Sequence, residues 1–166
     1  MNIKMIAVDL DGTLLRDDKT VSDRNIDVLI KCRNRGIKVI YATARGKSAL
    51  SLVPANILDG YVQMNGAVAF AGDTCVHSKL FSTDYVRDLL LAATSEKIEL
   101  AVEHGERTFA NFTFPDDWEE VFRDNYEVTD FKTLNIDISK VWSMPKSEAQ
   151  VEILKMNMPE KNLKVS

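Results

Sequence analysis

A chain of 166 residues fits one large domain or two small ones, and 45% hydrophobic and 28% charged residues are ordinary globular fractions. A formal net charge of −4 argues against a nucleic-acid partner, whose footprint would be basic. No apolar stretch is long enough to span a bilayer, so no membrane partner is expected. The short apolar run at the start is broken by Asp9 and Asp11, unlike a signal peptide, and Cys32 and Cys75 make no metal-type spacing. Two free thiols in a reducing cytosol, hence a cytoplasmic protein, are the expectation.

The first element is Met5 to Val8, short, apolar and rich in branched residues. It reads as a strand buried on both faces, central in a parallel sheet. Asp9 and Asp11 fall at its carboxyl end, where ligands of open α/β sheets sit. Residues i and i+2 of an extended chain point the same way, so both carboxylates face one pocket. Gly12 lets the backbone turn close to a ligand. Like charges this close call for a cation or a shared proton, and oxygen ligands beside a phosphate suit Mg²⁺. The plain alternative is a solvated pair of loop acids.

A polar loop follows, from Arg16 to Val21. Ser22 is an N-cap, Ile26, Leu29 and Ile30 lie at helical spacing, and Gly36 is a C′ stop. Ile37 to Ala42 reads as a second strand. Strand, helix and strand at this spacing predict a right-handed βαβ unit with adjacent parallel strands. The second strand ends in Thr43-Ala44-Arg45-Gly46, whose hydroxyl and turn amides are suited to phosphate oxygens. Lys47 to Val53 is expected as a short helix ended by Pro54. Tyr61 to Met64 is a third strand. Asn65 after it either faces the mouth of a site or forms a plain Asn-Gly turn. Val68 to Phe70 and Cys75 to His77 flank Gly72-Asp73 as a hairpin, with His77 a surface residue rather than a base.

From about Phe81 the pattern changes. Thr83 or Asp84 opens a helix with Val86, Leu89, Leu90 and Ala93 on one face. Strands are expected at Ile98 to Val102 and Thr108 to Phe112, joined by a turn at Gly105. A helix starts at Pro115, with Trp118, Val121 and Phe122 on its apolar face. One strand centred on Val141-Trp142 follows, then a helix capped by Ser147-x-x-Gln150 that runs to about Met156. Trp118 and Trp142 read as core. Such mixing predicts a small α+β layer.

The string Asp9-Leu10-Asp11-Gly12-Thr13-Leu14-Leu15 resembles the first motif of the haloacid dehalogenase-like (HAD) superfamily, and Thr43 its second motif. Thr43-Ala44-Arg45 is similar to the Thr-Gly-Arg of the Cof-type subfamily, with Ala44 in place of Gly, and Asn65-Gly66-Ala67 also fits that pattern. The resemblance implies an α/β fold: a partial HAD-like Rossmannoid parallel-sheet core over residues 1–80, followed by an inserted α+β cap over 81–166. It implies a Mg²⁺-dependent phosphatase acting on a small phosphorylated metabolite, such as a sugar phosphate. Asp9 would be the nucleophile and the Asp11 side chain the acid and base, with Mg²⁺ held by Asp9 and by the main-chain carbonyl of Asp11. Gly12, Thr43, Ala44 and Arg45 would hold phosphate, and Asn65 would contact substrate. The later lysine and the Gly-Asp-x-x-x-Asp string of the family are not found, so a fragment of a longer product is expected, or a homodimer that covers the edge of the first strand. Two other readings stand beside this one. A non-catalytic remnant would act by binding. A receiver-type signalling domain would need an acid at the end of the third strand, where Met64-Asn65-Gly66 stands.

Overall fold

Burial along the first strand decides how the sheet is built. In the computed structural model, which describes residues 3–105, 107–115 and 126–159, strand β1 (Met5–Val8) alternates between exposed and half-buried residues. It is therefore not the doubly buried central strand that its apolar run predicts. Among the described residues it pairs only with β2 (Lys38–Ala42), and its other side is an edge. The open edge itself agrees with the expectation drawn from the absent family motifs.

Helix α1 (Asp23–Asn34) joins these strands. Ser22 caps it by accepting from the Asn25 amide, and Gly36, with φ of 78°, closes it in the left-handed region. Strands β1 and β2 are parallel, and β3 (Gly60–Gln63) adds parallel to β2. Strands β4 (Val68–Ala71) and β5 (Thr74–Ser78) complete the sheet as the antiparallel hairpin predicted around Gly72, in the order β1-β2-β3-β4-β5. Leu10, Leu14, Leu29, Val39, Tyr41 and Ile57 form the core on which α1 packs. The Lys47 to Val53 helix does not form. A 3₁₀ turn covers Lys47–Ala49 and successive turns follow. Ala49 and Leu52 donate to carbonyls three residues back, and Ser51 Oγ donates to Ser48 O, so local bonds replace the helical ladder.

Asp59 ties the near end of this layer together. Its carboxylate accepts from the Val39 amide at 3.0 Å, from Arg33 Nε at 3.1 Å and from Lys38 Nζ at 3.1 Å. These bonds, the Val39 amide first, hold it well below the usual carboxylate range, at about 2.

The chain divides into two compact units, Met1–Lys79 and Leu80–Ser166. The second begins with β6 (Phe81–Ser82) and a 3₁₀ turn that leads into α2 (Arg87–Ser95). Ser82 is the cap, not Thr83 or Asp84. Thr83 is buried, and its hydroxyl donates to Ile136 O. A second sheet follows in the order β11-β7-β8-β9, from β7 (Glu99–His104), β8 (Arg107–Ala110), β9 (Tyr126–Val128) and β11 (Lys140–Met144). A separate short strand, β10 (Asp137–Ile138), pairs with β6. The single strand expected near Val141 is thus two, because Ser139 leaves the run to bond Glu103 through both its amide and its hydroxyl. Strand β9 was not foreseen.

Helix α3 (Glu148–Met156) has Ser147 accepting from the Gln150 amide. The Gln150 side chain returns to the Lys146 amide, one residue before the reciprocal partner of a capping box. Leu89, Leu90, Ala93, Leu100, Phe131 and Leu154 form the core of this unit. On the other face Trp142 packs with Phe112, Phe114 and Tyr126. The helix expected at Pro115 with Trp118, Val121 and Phe122 lies outside the described residues. No helix among the described residues is long and apolar enough to cross a membrane.

Candidate active site

The carboxyl ends of β1 and β2 lie side by side, because Val8 pairs with Tyr41 in a parallel register. Asp9 is extended, with φ −75° and ψ 156°. The next residues wind into a single wide turn. Leu14 donates to Asp9 O at 3.1 Å and Leu15 to Leu10 O at 2.9 Å, so each bond spans five residues. Leu10 and Leu14 bury their side chains, which fixes the turn against the core. At the crest Gly12 has φ of 72°, and a Cβ there would meet no atom within 4 Å. The backbone conformation, not crowding, therefore demands glycine. Thr13 Oγ1 donates to Asp9 Oδ2 at 3.4 Å.

Arg45 crosses from the end of β2 onto Asp11. Its Nε donates to Oδ2 at 2.6 Å and its Nη2 to Oδ1 at 2.9 Å, a bidentate fork. Lys19 Nζ lies 3.1 Å from the same Oδ1. The Arg45 guanidinium first, then Lys19, hold the Asp11 carboxyl well below the usual range, at about 2. In this arrangement Asp11 is a carboxylate held by two cations.

Thr43 is buried, and its Oγ1 accepts from the Arg45 amide at 3.2 Å, which leaves the hydroxyl proton for another acceptor. Ala44 is exposed at the turn. The segment after β3 is bound to the same end of the sheet: Met64 N donates to Arg45 O at 3.0 Å and Asn65 N to Thr43 O at 3.3 Å. Met64, Asn65 and Gly66 all have positive φ, at 53°, 54° and 95°. Asn65 thus stands beside the Thr43–Arg45 turn. His77 is exposed on β5.

Asp9, Asp11, Gly12, Thr43, Ala44, Arg45 and Asn65 therefore all lie at one end of one sheet. Lys19 is the neighbour that sequence reading left in a polar loop. Its side chain returns to Asp11 across eight residues, and nothing in the local pattern announces that return. Among the described residues, no group of three or more His, Cys, Asp or Glu side chains is placed to hold a metal ion. The donors at the strand end, the carboxylates of Asp9 and Asp11 and loop carbonyls, are nonetheless oxygens. They fit Mg²⁺ in kind, since that ion keeps waters and binds through one or two carboxylates plus phosphate.

The chain is similar to known proteins. The chain is 31% identical over 93 residues to the 5-amino-6-(5-phospho-D-ribitylamino)uracil phosphatase YcsE of Bacillus subtilis (strain 168), covering 52% of this chain and 36% of the relative. The structure of BT1666 from Bacteroides thetaiotaomicron, a phosphatase of the HAD superfamily, matches with a TM-score of 0.61 at 32% identity, over 68% of this chain and 43% of that one. A haloacid dehalogenase-like hydrolase from Bacteroides thetaiotaomicron shares the fold more extensively, with a TM-score of 0.75 at 18% identity, over 93% of this chain and 63% of that one. The chain thus spans less than two thirds of the length of each of these relatives. The family model for haloacid dehalogenase-like hydrolases matches residues 6–165, and the chain belongs to that family.

Proposed function

We propose that this chain carries the nucleophile half of a phosphoric monoester hydrolase acting on a small phosphorylated metabolite, a sugar or polyol phosphate. The observation that carries this reading is the convergence of Asp9, Asp11 and Thr43 at the paired carboxyl ends of β1 and β2. The phosphorylated ribityl compound in the name of the Bacillus subtilis relative supports the substrate class.

In this reading an Asp9 carboxylate oxygen attacks phosphorus, the bond from phosphorus to the leaving oxygen breaks, and an aspartyl-phosphate forms. Asp11 gives a proton to the leaving alkoxide. It then takes one from the water that attacks the phosphoryl group, which regenerates Asp9 and releases phosphate. Because Arg45 and Lys19 keep Asp11 ionised, it must part from them before it carries a proton. The Thr43 hydroxyl, the Gly12 amide and the turn at Ala44 and Arg45 hold phosphate oxygens. Asn65 contacts the remainder of the substrate, and the second unit acts as a cap that selects it. Mg²⁺, held by Asp9 and Asp11, would supply positive charge that offsets repulsion between the nucleophile and the phosphate.

The test is turnover of a generic phosphate ester with Mg²⁺ by the wild-type protein and by Asp9→Asn. Loss of several decades in rate is expected, and retention of more than about a tenth would contradict covalent catalysis by Asp9. A second reading is a binding module without catalysis. It requires phosphate binding with no turnover by the wild-type protein.

A further inference from the structure

We propose that Lys19 and Arg45 form a two-cation clamp for the substrate phosphate, and that the Asp11 carboxylate occupies this clamp until phosphate displaces it. The proposal rests on the phosphatase reading of the same site and adds Lys19, together with an exchange of partners, to it.

The loop that carries Lys19 is built rather than loose. Leu15 and Val21 form an antiparallel bridge at its root. Leu15 is buried in the core of the first unit and Val21 packs against it. Arg16 N donates to Thr20 O at 2.9 Å and Lys19 N to Arg16 O at 3.0 Å. The Asp18 carboxylate accepts from both the Thr20 amide, at 2.9 Å, and the Thr20 hydroxyl, at 2.6 Å. These bonds hold Lys19 at φ of 63°, a conformation that L residues seldom adopt. The ammonium then meets Asp11 Oδ1, the oxygen that also accepts from Arg45 Nη2.

A carboxylate bound by a guanidinium fork and an ammonium presents the same acceptor pattern as two oxygens of a phosphate. A phosphate dianion offers the two cations more negative charge and more acceptor oxygens than a single carboxylate does. The Asp11 side chain is 42% exposed and Lys19 45%, so neither is locked in place and exchange needs no unfolding. Displacement also gives Asp11 the freedom that its role as acid and base requires.

The experiment is calorimetric titration of inorganic phosphate into the metal-free chain. Lys19→Met keeps the backbone demand and removes the charge, and it is expected to weaken phosphate binding roughly five- to tenfold. Lys19→Arg is expected to restore binding to within about threefold. In an Asp11→Asn background, where the internal competitor is gone, the Lys19→Met penalty is expected to grow, because the wild-type penalty is partly offset by a looser Asp11. Equal affinity of wild type and Lys19→Met, with an unchanged melting curve, would overturn the clamp while leaving the phosphatase reading in place. So would failure of Lys19→Arg to rescue. A Lys19→Met penalty no larger in the Asp11→Asn background would overturn the exchange. A wild-type chain that takes up no phosphate at millimolar concentration would overturn the clamp, whereas the reading beneath it stands or falls on turnover with Mg²⁺.

Discussion

Replacing Asp59 separates a charge effect from a hydrogen-bond effect at one position. The folded-state value of its carboxyl is lowered from 3.8 to about 2. A displacement of that size corresponds to at most ~2.5 kcal/mol of extra stability in the ionised form. The Lys38 partner is 62% exposed, so much of its share is screened. About 1 kcal/mol is therefore expected for Asp59→Asn near neutral pH, since asparagine still offers an oxygen to the Val39 amide. Asp59→Ala also leaves that amide without this partner beside a fully buried Val39. It is expected to cost roughly 1–3 kcal/mol more. The depressed value sets the direction with pH. The charge-dependent part is complete above 3.8 and is lost as pH falls through about 2, with about half of it remaining near pH 3. Urea unfolding of wild type, Asp59→Asn and Asp59→Ala at neutral pH and at about pH 3 measures both components. A gap between wild type and Asp59→Asn that does not shrink on acidification would refute the argument. So would equal costs for the two variants.

Three further outcomes are expected. Gly60→Ala places a Cβ 2.3 Å from the Phe70 carbonyl oxygen, so β3 and β4 must separate, and a loss of roughly 1–3 kcal/mol should appear in thermal unfolding; an unchanged midpoint would contradict it. Mg²⁺ without phosphate should bind weakly, because two protein oxygens from the Asp9–Asp11 loop are too few for a closed site; calorimetry showing affinity near about 1 µM would reveal a ligand not identified among the described residues. Met5 is 55% exposed on the edge strand β1, so Met5→Lys should reduce any concentration-dependent association seen by light scattering; association unaffected by the charge would mean that it uses another surface.

What was legible in the sequence follows from the range of the interactions involved. The positions of the Asp9–Leu15 string and of Thr43 at the strand ends were readable because they depend on short strands and local turns. Helix α1 was readable because Ser22, the spacing of Ile26, Leu29 and Ile30, and Gly36 all agree. The pairing of Arg45 with Asp11 joins residues 34 apart, and sequence spacing carries no record of it. The return of Lys19 depends on a left-handed residue that only the folded loop imposes. The helix expected over Lys47 to Val53 failed because serine and backbone bonds three residues apart won over a weak helical pattern. In the second unit, β10 and β9 are too short to leave a periodic signature, and they exist because neighbouring strands hold them.

The left-handed run Met64–Asn65–Gly66 also constrains how this region tolerates change. A methionine at positive φ costs on the order of 1 kcal/mol, and its side chain is only 6% exposed. Burial of that side chain is worth about 1.5–3 kcal/mol, enough to hold the backbone where Asn65 meets Thr43. Glycine at position 64 would relieve the backbone and discard the anchor. Alanine would keep the backbone cost and lose most of the burial. Mutational drift is thus confined to large apolar side chains at position 64. Random libraries screened for stability alone would retain this position as strictly as libraries screened for activity.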